Sequence, residues 1–172
     1  MDGTVMQGWI DNPKGLQEFL RDLCPPEEES SQKAVEKSTV RPAYKLVVNY
    51  DQTLAEMIAA GRYDSVNSSI TAEHFPVTGR GQQAVEVELF HFGRVMSSEQ
   101  VMAELDRVGY RPTRIEELLA LGAARPDLQR QFPIIALGSP WRNLHGYRRV
   151  TYLGEWHVKR KLSLHWFGSD WW

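Results

Sequence analysis

Five of the six tryptophans fall between Trp141 and Trp172, the last 32 residues of the chain. Side chains this bulky lose rotamer freedom in a helix and suit the pleated surface of a sheet. The same stretch is broken by Gly146, Gly154 and Gly168, so it reads as strands and turns. Residues 147–153 and 161–167 have strand composition. In the second, Leu162, Leu164 and Trp166 share a face opposite Lys161, Ser163 and His165. Most of these indoles are expected to fill the interior as aromatic layers, leaving a cationic rim at the surface.

Upstream the hydrophobic period changes. Ser97 and Gln100 form a capping box ahead of Val101, Met102, Leu105 and Val108, and Gly109 closes that helix. Thr113 and Glu116 form another, leading Ile115, Leu118, Leu119 and Leu121 to Gly122. Residues 84–92 alternate as a strand, with Val85, Val87 and Leu89 opposite Glu86 and Glu88. Phe90 and Phe92 require that this strand pass under another element. The continuous apolar run 132–138 has the length and composition of a buried strand. Nearer the start, residues 44–50 read as a strand. Thr53 and Glu56 then cap a helix whose apolar face is Leu54, Met57 and Ile58, ending at Gly61. Residues 62–83 show no period and predict a long irregular excursion, a kind of loop that is often functional when ordered.

The first forty residues differ in character. They hold eight acidic and four basic side chains, with Glu27, Glu28 and Glu29 following a Pro-Pro pair. Leu16, Phe19, Leu20 and Leu23 predict a short helix ahead of that exposed segment. The organisation expected is therefore an acidic N-terminal helix and linker over residues 1–40 and one α+β domain over residues 41–172. The domain would hold a small mixed or antiparallel sheet with two consecutive helices packed on it.

Composition narrows the function classes. Apolar residues make up 42% of the chain, enough for a sizeable core, and no internal repeat is visible. A net charge of −2 gives the whole molecule no strong pull toward nucleic acid or acidic lipid. The lone Cys24 excludes an intrachain disulfide framework and fits a reducing cytoplasm. No apolar run reaches the roughly 18 residues that span a bilayer, so no membrane partner is expected.

Catalytic signatures are missing: there is no nucleophile elbow, P-loop, dinucleotide fingerprint, zincin helix or EF-hand loop. The histidines, at 74, 91, 145, 157 and 165, show no spacing that would put two imidazoles on one metal from one element. Neither a cofactor nor a metal is expected. What stands out is the strip from Trp141 to Trp166, where Arg142, Arg148, Arg149, Lys159, Arg160 and Lys161 are opposed only by Glu155. Guanidinium groups among planar aromatics suit acidic partners, and also suit bases and phosphates. The candidate binding set is Trp141, Arg148, Arg149, Trp156, His157, Arg160 and Lys161, joined by Asn67 and Arg80 from the irregular excursion.

Two resemblances bear on this. The stretch Gly109-Tyr110-Arg111-Pro112-Thr113-Arg114-Ile115-Glu116-Glu117-Leu118-Leu119-Ala120-Leu121 resembles the W-R-L-P-T-x-x-E-L-L helix start of C-type-lectin-like bacterial domains. Relatives of the formylglycine-generating enzyme fold and the variable proteins of diversity-generating retroelements belong to that group. The resemblance implies two helices followed by a small, aromatic-rich sheet with irregular loops. Here Tyr110 replaces the motif's tryptophan, and neither a cysteine pair nor a calcium-ligand motif accompanies it. Residues 49–71, 117–141 and 164–171 also resemble a family of uncharacterised bacterial and phage proteins. That resemblance implies no activity; a small protein of this kind on a mobile element is expected to bind and inhibit a host machine.

Three functions stay open at this level. The first is a non-catalytic binding module for a protein or anionic partner. The second is a nucleic-acid-binding protein using Arg148, Arg149 and Arg160. The third is an enzyme using His74, His91, His157 or His165 with a carboxylate.

Overall fold

The computed structural model describes residues 42–168 and 171. The N-terminal helix expected around Leu16 to Leu23, the acidic run at Glu27 to Glu29, and Cys24 lie outside the described residues. The chain runs through β1 (Ala43–Asn49), α1 (Leu54–Gly61), β2 (Ser65–Val66), β3 (Gln82–Glu88), α2 (Ser98–Arg107) and α3 (Ile115–Ala124). It continues through α4 (Leu128–Gln131), β4 (Ile134–Arg142), β5 (Arg148–Trp156) and β6 (Lys159–Trp166). This is an α+β fold with two sheets. β1 and β3 form an antiparallel pair, and the second sheet is mixed, in the order β2-β6-β5-β4 with β2 parallel to β6.

Local chemistry explains most element boundaries. At α1, Thr53 Oγ1 accepts from the Glu56 amide and the Glu56 carboxylate accepts from the Thr53 amide at 2.7 Å, the reciprocal box expected from sequence. Ser97 and Gln100 do the same for α2. At α3 the expected cap is displaced by one residue. Arg114, not Thr113, is the N-cap, and Glu117 accepts from its amide at 2.9 Å. Tertiary contacts moved it: Ser139 Oγ from β4 caps the Ile115 amide at 3.1 Å, and the Thr113 carbonyl accepts from Gly138 N at 2.8 Å.

Several strands differ in their bounds from expectation, and β5 and β6 extend toward each other to Trp156 and Lys159. β3 ends at Glu88, not Phe92, because its partner β1 begins at Ala43, directly after Pro42, which has no amide hydrogen to extend the ladder. β4 runs on to Arg142 through a register shift between Ala136 and Trp141. The 62–81 excursion is ordered by β2 and by Ile70 and Phe75, both buried in the main core.

Strand alternation distributes the core over both faces of the larger sheet. Leu153, Leu162 and Ala136 join the main core with Leu54, Ile115 and Leu118. Val150 and Leu137, of opposite parity, join Met96, Val101, Leu105 and Phe167 beneath α2. The Trp171 main chain bridges to Met96 with both bonds at 2.8 Å, and its indole N–H donates to Ser98 Oγ at 2.7 Å. Ser98 in turn donates to the Phe167 carbonyl, so the tail is tied to the start of α2.

The tryptophans depart from the sequence expectation. Trp156 is 63% exposed and Trp166 43%, while Trp141 and Trp171 are only partly buried. The interior is filled by aliphatic side chains from helices and strands with Phe75 and Phe167, while Trp156 and Trp166 sit at the ends of β5 and β6. These two are rim rather than filling, whereas Trp141 packs against the main core and Trp171 against the second.

Candidate binding surface

Arg160 shows how far position in the fold overrides residue type. It is the second residue of β6, and alternation turns it inward, where it is 7% exposed. Its guanidinium donates to the Gly61 carbonyl at 2.7 Å, the Gly122 carbonyl at 2.9 Å and Gln129 Oε1 at 3.0 Å. Gly61 and Gly122 lie in the last turns of α1 and α3, where carbonyl groups lack intrahelical partners and carry partial negative charge. Arg160 is therefore a structural tie between two helix ends, and it leaves the binding set. The Tyr63 ring lies 5.1 Å below the same guanidinium. Burial pushes the Tyr63 phenol up to about 12, with Arg160 opposing that rise.

Asn67 also has a structural task. Its side-chain oxygen accepts from the Ser69 amide at 3.0 Å, and its own amide bonds the Leu162 carbonyl at 3.0 Å, fixing the turn after β2. Arg80 is exposed, in the loop entering β3, and its carbonyl accepts from Gln83 at 3.1 Å. It lies on the segment leading to the smaller sheet, apart from the strip.

The remaining candidates separate to the two ends of β5 and β6. At the hairpin end stand Trp156, His157 and Lys161, with Lys161 Nζ 5.7 Å from the Trp156 ring. At the other end the register opposes Arg149 to Trp141 on one side and to Trp166 on the other, forming a row across three strands. The Arg149 guanidinium sits 3.7 Å over the Trp166 ring, and its Nε is buried without a hydrogen-bond acceptor among the described residues. Cation–π attraction across a desolvated ring face offsets part of that loss. His74 stacks on Trp141 at 4.2 Å, carrying the row onto the ordered excursion.

Beside this row lies an open groove of about 510 Å³ lined by Arg142, Gly146, Tyr147, Arg148, Trp166 and Gly168. Tyr147 meets the Trp166 ring edge-on at 5.1 Å. Arg148 lies 3.9 Å over the Phe167 ring and pairs with Glu99 at 2.6 Å. The backbone amide of Glu99 and the Arg148 guanidinium together hold the Glu99 carboxyl below its ordinary range. Arg142 donates to the Gly146 carbonyl at 2.8 Å, bracing the turn that forms the groove wall. Arg142, Tyr147 and Trp166 were absent from the sequence-derived site. The signal for them is the cross-strand pairing of Arg149 with Trp166, which emerges only once the hairpin register is known.

The histidines are dispersed. His74 Nδ1 faces the Ser69 carbonyl at 2.8 Å, His165 lies between the Tyr152 and Trp171 rings, and His91 and His145 are exposed. Among the described residues no group of three or more His, Cys, Asp or Glu is placed to hold a metal ion, and no helix is long and apolar enough to cross a membrane. Set beside known proteins, the chain matches no family model, no curated protein and no solved structure.

Proposed function

We propose that this protein is a non-catalytic binding module that takes an acidic segment of a protein partner into the groove at the open end of the larger sheet. The observation carrying the reading is the Trp166 ring in that groove, stacked on Arg149 and met edge-on by Tyr147, with Arg142 and Arg148 beside it. Trp, Tyr and Arg are the residue types that dominate interface hot spots, and here their rotamers are already set by one another.

Charge accounting favours a peptide over a nucleic acid. Arg160 is spent on helix carbonyls, Arg149 on an indole, and Arg148 is half-neutralised by Glu99. Strong backbone binding to a nucleic acid needs many phosphate contacts, each adding to a steep salt dependence. With Arg148 paired to Glu99 and Arg149 stacked on Trp166, the groove offers few. The likeness of residues 109–121 to C-type-lectin-like domains suits a binding role, and inhibition of a host machine by a mobile-element protein is one use of such a module.

Fluorescence anisotropy of the full chain with labelled acidic peptides containing aromatic residues, and with a labelled oligothymidine, tests the reading. Trp166→Ala and Arg142→Ala should each weaken peptide binding tenfold or more while leaving Tm close to that of the parent. Tighter binding of the oligothymidine, with affinity falling steeply in salt, would replace this function with nucleic-acid recognition.

A further inference from the structure

The opposite end of β5 and β6 carries a feature the groove does not explain. The two strands are joined by only His157 and Val158, with φ of 49° and 58°. Two successive left-handed residues make a type I′ turn, a geometry that favours Asn-Gly. A β-branched residue at positive φ is a steric outlier, and such strain persists only when the surroundings enforce it. Arg130 supplies that enforcement: its Nη1 donates to the Val158 carbonyl at 2.9 Å and to Glu155 at 2.7 Å.

The strain is not repaid by burial within the described residues. Val158 is 78% exposed and Trp156 is 63% exposed. His157 meets the Trp156 ring edge-on at 5.0 Å, so the indole is oriented as well as uncovered. The flanking charge is positive, from Lys159 and Lys161, because Arg130 occupies the nearby Glu155 carboxylate. A rigid, strained turn that displays an oriented Trp and a Val to solvent is organised in advance for insertion, and ordering costs at binding are correspondingly small. About 25 Å of strand separates it from the Trp166 groove.

We infer that the Trp156–Val158 turn is a second interaction surface, a wedge that inserts into an apolar pocket rimmed by carboxylates on a protein partner. Trp156 and Val158 supply the inserted surface; Lys159 and Lys161 meet the acidic rim. An apolar pocket matches the two exposed side chains, and the carboxylate rim follows from the lysines beside them.

The test uses the full chain with a benzophenone photocrosslinker at Val158, irradiated in its native cells, followed by titration of the purified adduct partner. The expected result is one protein adduct, lost in the Trp156→Ala background. Its purified partner should lose at least tenfold in affinity with Trp156→Ala, and again with Lys159→Glu combined with Lys161→Glu. Val158→Gly, which relieves the left-handed strain, should raise Tm yet weaken binding, separating function from folding. The proposal is overturned by an adduct insensitive to Trp156→Ala, by an adduct only with a second copy of this chain, or by none. Binding to phosphatidylserine vesicles that depends on Trp156 would likewise overturn it in favour of a lipid surface.

Discussion

Arg160 donates from β6 to the main-chain oxygen of Gly122 at 2.9 Å, joining the larger sheet to the last turn of α3. Three other bonded atoms share the guanidinium, including the Gly61 and Arg62 carbonyls and Gln129 Oε1. A cation fixed by carbonyl dipoles and a side-chain amide is a strong tie, because the bonds to Gly61, Gly122 and Gln129 are buried and those acceptors would be orphaned without it.

Removing that tie with Arg160→Met should cost about 2–4 kcal/mol, since the helix-end carbonyls lose their donors in a dry site. Urea unfolding measures it. Arg160→Lys should recover only part, because one ammonium cannot reproduce the planar fork. An unchanged midpoint for the Met variant would mean water serves those carbonyls equally well.

Tyr63 predicts an alkaline weakness. Its phenol is raised to about 12 by burial, and its hydroxyl has no hydrogen-bond partner among the described residues. A raised pKa favours the neutral form in the fold. Stability is therefore intact below the ordinary phenol value near 10 and declines as pH rises toward 12, by about 2–3 kcal/mol over that window. Urea midpoints at pH 9 and pH 11.5 should diverge less for Tyr63→Phe than for the parent.

Glu117 predicts an acid weakness. Burial alone would raise its carboxyl, but the Arg111 guanidinium and the Arg114 amide outweigh burial and hold it below the usual range. A depressed carboxylate contributes stability above the ordinary carboxylate pKa and loses it as pH falls through the folded-state value. Glu117→Gln should flatten the acid limb of a Tm-against-pH curve and lower Tm at neutral pH, a loss of about 1–3 kcal/mol. A parallel, unshifted acid limb would sink the assignment.

Gly138 has no room for a side chain. A Cβ there would lie 2.6 Å from the Pro112 carbonyl oxygen and 2.7 Å from that of Thr113, both main-chain atoms in the approach to α3. Gly138→Ala should cost about 1–3 kcal/mol through forced displacement of that segment. Thermal unfolding reads it directly, and a neutral result would show that β4 shifts without penalty at its irregular step.

Much of the local structure was legible from residue pattern. The boxes at Thr53 and Ser97 needed only residues three apart, and the strand composition of 44–50 and the alternation in 161–167 identified β1 and most of β6, because these signals are set within a few residues of chain. Where neighbours distant in sequence intervened, local reading slipped: Ser139 and Gly138 moved the α3 cap to Arg114, and the start of β1 at Ala43, after Pro42, cut β3 short.

The candidate surface divides along the same line. Sequence located the cationic-aromatic strip and gave its chemical character, since composition is independent of folding. Only tertiary structure decided which members meet solvent: strand parity sent Arg160 inward to the helix ends, placed Arg149 on Trp166, and left Trp156 and Trp166 exposed. One residue of register reverses the face of every side chain in a strand, and register is fixed by pairing partners far along the chain.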